Sequence, residues 1–284
     1  MRCAGVTVTL ALATSCKAHQ AAWPNATQAR CDATAEQVAC LYQSNTIVAA
    51  WFSRDVHWQV PAGQPPRQGW PAVILFQGSL FSAERAWAAQ RTDAFGAYYQ
   101  TETVRTLLEH GFAVLTPETK FGGHSFWDTN VLPFVWAWRS SPDHALMKQL
   151  FADIERGAFG PLNPRELFAA GISSGGYMTS RMAQAYPERF RALAIASAAW
   201  ATCAGLLCSV PDRLPTAHPP TLFLHGEQDH VVPIETARAY DAALRKQGLV
   251  SILRADPAAG HGWTSTAPTT ILQFFSFYRT APSY

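Results

Sequence analysis

Residues 167–176 of this 284-residue chain, Leu-Phe-Ala-Ala-Gly-Ile-Ser-Ser-Gly-Gly, leave few folds open. An apolar run enters a glycine-serine turn and continues at once into a helical pattern over 177–186, stopped by Pro187. A buried strand, a sharp turn and a helix are therefore predicted in immediate succession. Within the turn, Gly171, Ser173 and Gly175 form G-x-S-x-G. In such an elbow the strand and helix backbones come so close that a side chain at either glycine would collide, and the serine is lifted onto the tip with its hydroxyl accessible. The N–H of Ser174, at the start of the helix, is then aimed where an oxyanion would develop. The pentapeptide alone is weak, because many Gly/Ser-rich turns are only turns; the flanking strand and helix give it weight. The glycine spacing selects Ser173 over Ser174. A second serine, in Gly123-His124-Ser125, is set aside because Trp127 stands where the second glycine should be.

The same alternation extends along the chain. Residues 33–44 read as a short helix near Cys31 and Cys40, and 45–60 are rich in strand formers. Ala72-Val73-Ile74-Leu75-Phe76 is a continuous apolar run of the kind buried on both faces of a parallel sheet. Helices are predicted over 101–110, 141–156, 234–247 and 269–278, and strands over 112–115, 190–199, 220–224 and 250–255. Between 121 and 138 lies an irregular stretch crowded with aromatics. No low-complexity linker divides the chain, so the expectation is one α/β domain: a mostly parallel, doubly wound sheet with its site at the carboxyl ends of the strands. Net charge is +2 with no lysine or arginine cluster, which argues against a nucleic-acid partner.

A serine hydroxyl needs a base, and the base needs an acid to fix its tautomer. In α/β-hydrolases the chain order is Ser, then Asp or Glu, then His. Downstream, His225-Gly226-Glu227-Gln228-Asp229-His230-Val231-Val232-Pro233 leaves a strand end in an H-G-x-x-D-x-x-V-P pattern and selects Asp229, with Glu227 second. The crowding of His225, Glu227, Asp229 and His230 invites a metal reading, but the spacing lacks H-E-x-x-H and a helix, so no metal is assigned. Apart from His230, His261 is the sole histidine beyond Asp229. It sits between glycines in Gly260-His261-Gly262-Trp263 and is the expected base, with Asp256 a rival acid. Gln77-Gly78-Ser79-Leu80 follows an early strand where the second oxyanion donor is expected; the N–H of Ser79 takes that role, with glutamine in place of the usual histidine. Trp127, Trp136 and Trp263 are candidate substrate contacts. The competing expectation for such aromatics is the core.

The N-terminus, Met1-Arg2 followed by an apolar run over 3–13 and small residues to Ala22, has the plan of a secretory signal peptide, giving a leader over 1–22 and a catalytic domain over 23–284. The run is too short to span a bilayer. Removing the leader leaves Cys31, Cys40, Cys203 and Cys208, an even count suited to an exported protein. Of three possible pairings, Cys31 with Cys40 and Cys203 with Cys208 closes the shortest loops.

Taken together, the Ile-Ser-Ser-Gly form of the box at 172–175, Asp229 in its H-G-x-x-D setting and His261 before Gly-Trp resemble the extracellular medium-chain-length polyhydroxyalkanoate depolymerases. The resemblance covers nearly all of the chain after the leader. It implies an α/β-hydrolase fold without an appended substrate-binding domain, a secreted carboxylic ester hydrolase acting through an acyl-enzyme on Ser173, an insoluble polyester substrate and no cofactor. Low charge, at 15% of residues, and ten tryptophans suit a catalytic domain that must itself adsorb to polymer. Two other readings remain. One is a secreted esterase for plant-wall or lipid acyl groups; the other is a non-catalytic polymer-binding protein on the same scaffold, expected to lack a triad member.

Overall fold

The computed structural model describes residues 29–203 and 208–280; the expected leader, with Cys3 and Cys16, lies outside them. The chain opens with β1 (Cys31–Ala33), β2 (Gln37–Cys40), β3 (Gln43–Ala49), β4 (Phe52–Gln59), β5 (Trp70–Phe76) and β6 (Ala88–Gln90). It continues with α1 (Ala97–Glu109), β7 (Ala113–Pro117), α2 (Pro142–Glu155), β8 (Leu162–Ile172), α3 (Ser174–Ala185) and β9 (Phe190–Ala196). β10 (Thr221–Gly226), α4 (Ile234–Lys246), β11 (Ser251–Asp256) and α5 (Ala267–Thr280) complete it.

The helix expected over 33–44 is instead the β1–β2 hairpin and the start of β3. Its Ala, Glu and Gln residues favour helix, but a segment this short holds no helix without tertiary support. Thr34 accepts hydrogen bonds from the N–H groups of Glu36 and Gln37, fixing a turn. The antiparallel register then sets Cys31 opposite Cys40, which are joined by a disulfide. Cys203 is likewise bonded to Cys208.

The main sheet has the order β11-β10-β9-β8-β5-β7-β4-β3, while β1, β2 and β6 form a small separate sheet. Pairing is parallel from β11 through to β7 and antiparallel where β4 joins β7 and β3. Strand periodicity distributes the core between the two faces. Along β5, Ala72, Ile74 and Phe76 join the cluster that includes Leu146, Leu150, Met178 and Met182 of α2 and α3, whereas Val73 and Leu75 join Val104, Leu107, Ile271 and Phe275 of α1 and α5. Each face is thus covered, as a buried parallel sheet requires. A third cluster packs Tyr240 and Leu244 of α4 against Phe223 and Ile195.

Register decides where the site falls. Phe76 pairs with Gly171, Gly171 with Ile195, and Ile195 with Phe223, so β5, β8, β9 and β10 end together on one edge. All the loops singled out in the sequence emerge from that edge.

Candidate active site

The elbow is as tight as its glycines suggested. Ser173 has φ 53° and ψ −120° and precedes α3. A Cβ on Gly171 would lie 2.3 Å from the Gly175 carbonyl oxygen, one on Gly175 2.1 Å from that of Phe76, and one on Gly176 2.5 Å from the Ala198 Cβ. The strained serine is held by its own backbone: its N–H donates to Ala196 (3.0 Å) and its carbonyl accepts from Tyr177 (2.9 Å). A non-glycine residue in such a region costs roughly 1–3 kcal/mol, and persists only where its surroundings over-determine it.

Asp229 and His261 meet beyond the ends of β10 and β11. His261 Nδ1 lies 2.9 Å from Oδ2 and 3.1 Å from Oδ1 of Asp229. Oδ1 also accepts the N–H groups of Val231 (2.9 Å) and Val232 (2.8 Å), and His225 Nε2 is 3.2 Å from Oδ2. Burial pushes the Asp229 carboxyl upward, but hydrogen bonds from His225, His261 and Val232 outweigh it and hold the group well below the usual carboxylate range. The acid is therefore ionised, Nδ1 carries the imidazole proton, and Nε2 is left to accept one. Burial and the Asp229 charge push the Tyr177 hydroxyl up to about 12. The rival acids are engaged elsewhere: Asp256 accepts from the N–H of Ala258, and Glu227 pairs with Arg238 at 2.9 Å.

His261 and Ser173 line one cavity of about 300 Å³, together with Gln77, Gly78 and Ser79 and the apolar side chains of Phe81, Phe95, Ile172 and Val231. Two contacts hold the histidine loop in place. Ser197, buried at the end of β9, accepts from the Gly262 N–H (3.1 Å) and donates to its carbonyl (3.2 Å). On the other side, the Trp263 N–H donates to the Phe95 carbonyl (2.9 Å). There Gly96 is left-handed, and a Cβ on it would stand 2.2 Å from the Trp263 oxygen. The Phe95 ring, itself on a positive-φ residue, stands edge-on to the His261 ring. Ser197 and Phe95 carry no motif, and the H-G-x-x-D pattern that His225 opens does not mark it as a partner of Asp229; only the folded chain brings these contacts together.

The two tryptophans expected at substrate beside catalytic segments are core residues. Trp127 is fully buried. Its backbone N–H donates to Ser174 Oγ (2.9 Å), its Nε1–H donates to the Gln77 carbonyl (3.0 Å), and its ring meets Phe76 edge-on. It thus ties the elbow to the loop after β5. Trp263 is 4% exposed and packed in the cluster of α1 and α5, because the chain turns inward there to begin α5. Trp136, 82% exposed, lines a separate groove with Trp138, His144 and Arg181.

Buried charge supports the Trp127 segment. Arg54 pairs with Asp143 (2.5 Å), whose other oxygen accepts the Asp128 N–H (2.6 Å), and Asp128 pairs with Lys120. Burial, then the neighbouring Asp143 charge, pushes the Asp128 carboxyl up. Gln77, in the place of the usual histidine, uses its side chain for structure: the amide donates to the Pro117 carbonyl (2.8 Å) and accepts from the Thr119 N–H (2.9 Å). Among the described residues, no group of His, Cys, Asp and Glu is arranged to hold a metal ion, and no helix is long and apolar enough to cross a membrane.

A twisted, mostly parallel sheet with a strained serine at one strand end and a coupled carboxylate and imidazole at two others defines an α/β-hydrolase, and the chain is a carboxylic ester hydrolase. It belongs to the dienelactone hydrolase family, whose model matches residues 90–279. A poly(3-hydroxyoctanoate) depolymerase of Pseudomonas fluorescens is 42% identical over 241 residues, 84% of this chain and 86% of that one. Two solved structures share the fold at low identity. Est1E from Butyrivibrio proteoclasticus is 17% identical at a TM-score of 0.56, covering 84% of this chain and 99% of that one. Esterase 2 of Thermogutta terrifontis, phosphorylated by paraoxon, is 16% identical at a TM-score of 0.58, covering 85% and 96%.

Proposed function

We propose that this protein is a secreted depolymerase of medium-chain-length poly(3-hydroxyalkanoates), with a leader over 1–22 and a catalytic domain over 23–284. Ser173 Oγ attacks the ester carbonyl while His261 Nε2 takes its proton, and Asp229 stabilises the imidazolium that forms. The N–H groups of Ser174 and Ser79 receive the oxyanion. Collapse expels the alcohol end of the polymer, protonated by His261, and leaves a 3-hydroxyacyl ester on Ser173. Water activated by His261 then hydrolyses that ester. No cofactor takes part.

The observation that carries the polyester reading is the mouth of the cavity in a chain so similar to the Pseudomonas enzyme. Leu80 (67% exposed) and Phe126 (42%) stand beside it, on segments joined by the hydrogen bond from the Leu80 N–H to the Ser125 carbonyl. Phe95 and Val231, also exposed, line the cavity itself. Apolar side chains raised around a nucleophile suit a water-insoluble chain better than a soluble ester. The disulfides Cys31–Cys40 and Cys203–Cys208 support secretion, since such bonds persist in oxidising compartments.

The test offers mature protein and its Ser173→Ala variant suspensions of poly(3-hydroxyoctanoate) and poly(3-hydroxybutyrate) and a soluble octanoate ester. Clearing of the first polymer, lost by roughly 10,000-fold or more in the variant, is the expected outcome. Turnover of the soluble ester with neither polymer cleared would retain the esterase and overturn the depolymerase.

A further inference from the structure

The cavity at Ser173 has largely carbon walls, yet one buried polar side chain in it is unaccounted for. Gln100, in the first turn of α1, is 8% exposed and lines the cavity alongside Ala97 and Phe95. Among the described residues its amide has no hydrogen-bond partner. The other buried amide of the lining, Gln77, is fully engaged with Pro117 and Thr119. At the rim, Asp93 accepts from the Gln90 N–H, and the exposed Arg85 lies over the Phe81 ring. Its amide oxygen and nitrogen stay open to the cavity, so an acyl chain that fills this apolar pocket would cut them off from water and must supply a polar atom in return. Having no bond to the fold, Gln100 does not hold the fold together through its amide.

We propose that Gln100 determines specificity by hydrogen-bonding the oxygen on C3 of the acyl unit held in the cavity. This rests on the polyester reading, in which every repeat carries such an oxygen, as a hydroxyl at a chain end and as an ester oxygen within the chain. The amide can donate to either and can also accept from a hydroxyl. An unsubstituted fatty acyl group presents methylene there and leaves the amide unpaired, which is how a site built around a hydrogen bond rejects an analogue lacking it.

The experiment compares kcat/KM for nitrophenyl 3-hydroxyoctanoate and nitrophenyl octanoate in the wild type, Gln100→Leu and Gln100→Met. The wild type is expected to prefer the hydroxy ester by about tenfold, and both variants to lose that preference through the hydroxy ester alone. Turnover of plain octanoate reports in the same assay that each variant is folded. Absence of the preference in the wild type, its survival in both variants, or an equal fall on both substrates overturns the proposal. Clearing of poly(3-hydroxyoctanoate) by the wild type is scored separately. Failure to clear with an intact, Gln100-dependent preference would sink the polymer reading alone, and clearing with a Gln100-independent ratio would sink the Gln100 role alone.

Discussion

At Ser173 and Asp229, single residues hold unfavourable states that their neighbours make tolerable. The strain at Ser173 persists because Gly171 and Gly175 let three backbone segments meet at van der Waals distance. Replacing Gly175 with alanine puts a Cβ onto the Phe76 carbonyl, where neither backbone can yield. Unfolding by urea should reveal a loss of about 3 kcal/mol or more, against about 1–2 kcal/mol for Gly157→Ala, where the space is open and only the positive φ is strained. Asp229 is held ionised by donors on several sides. Its carboxyl lies below the ordinary range in the folded protein and returns to about 3.9 on unfolding. As pH falls toward that value the unfolded state takes up a proton that the folded state does not, so this stabilisation is full above about pH 5 and drains away as pH falls toward the folded value. The gap in thermal midpoint between wild type and Asp229→Asn should therefore narrow between about pH 5 and pH 2, while the variant loses roughly 10,000-fold in kcat at neutral pH. A gap independent of pH would mean that the carboxylate's charge contributes nothing to folding.

Among the elements, the segment between β7 and α2 does the most for the site without entering it. Its residues 120–130 are fixed by the Arg54–Asp143–Asp128–Lys120 charges and by Arg181, which donates to the Thr129 hydroxyl and carbonyl. Trp127, so fixed, bonds both Ser174 and the Gln77 carbonyl, the two sides between which an oxyanion would be held. Trp127→Phe keeps the ring and removes the Nε1–H. It should lower kcat by about tenfold with KM nearly unchanged, because the lost bond aligns donors that act in the transition state, and lower stability by about 1–3 kcal/mol. A rise in KM at constant kcat would instead assign the indole to substrate binding.

For the whole molecule, the proposed function raises the question of how a chain of low charge would engage an insoluble substrate. The exposed side chains near the mouth, Leu80, Phe95, Phe126 and Val231, and the separate groove at Trp136 are the two surfaces on which the proposed adsorption is tested. Leu80→Ser combined with Phe126→Ser should reduce adsorption to poly(3-hydroxyoctanoate) several-fold in a sedimentation assay and leave soluble-ester turnover within about twofold. Trp136→Ala, tested alongside, should have the smaller effect; a larger one would move the adsorption face to the groove.

The chain's local chemistry determined the fold class and singled out the three residues proposed as the triad. G-x-S-x-G between strand and helix, H-G-x-x-D after a strand and His261 between glycines are each short-range patterns, and sterics and backbone direction act over the same few residues. Buried strands such as β5 were legible for the same reason, as unbroken apolar runs. Only tertiary structure decided what depends on contacts distant in sequence. Residues 33–44 hold helix formers yet go into strands, because cross-strand register and a disulfide outweigh weak propensity. Trp127 and Trp263 went to the core and Trp136 to the surface, although composition treats the three alike: an indole's destination is set by what packs on it. The supports at Ser197 and Phe95 and the unpaired amide of Gln100 have no sequence signature, and the H-G-x-x-D pattern does not say that its histidine bonds its aspartate, since these roles exist only once four strand ends are brought to one edge of the sheet.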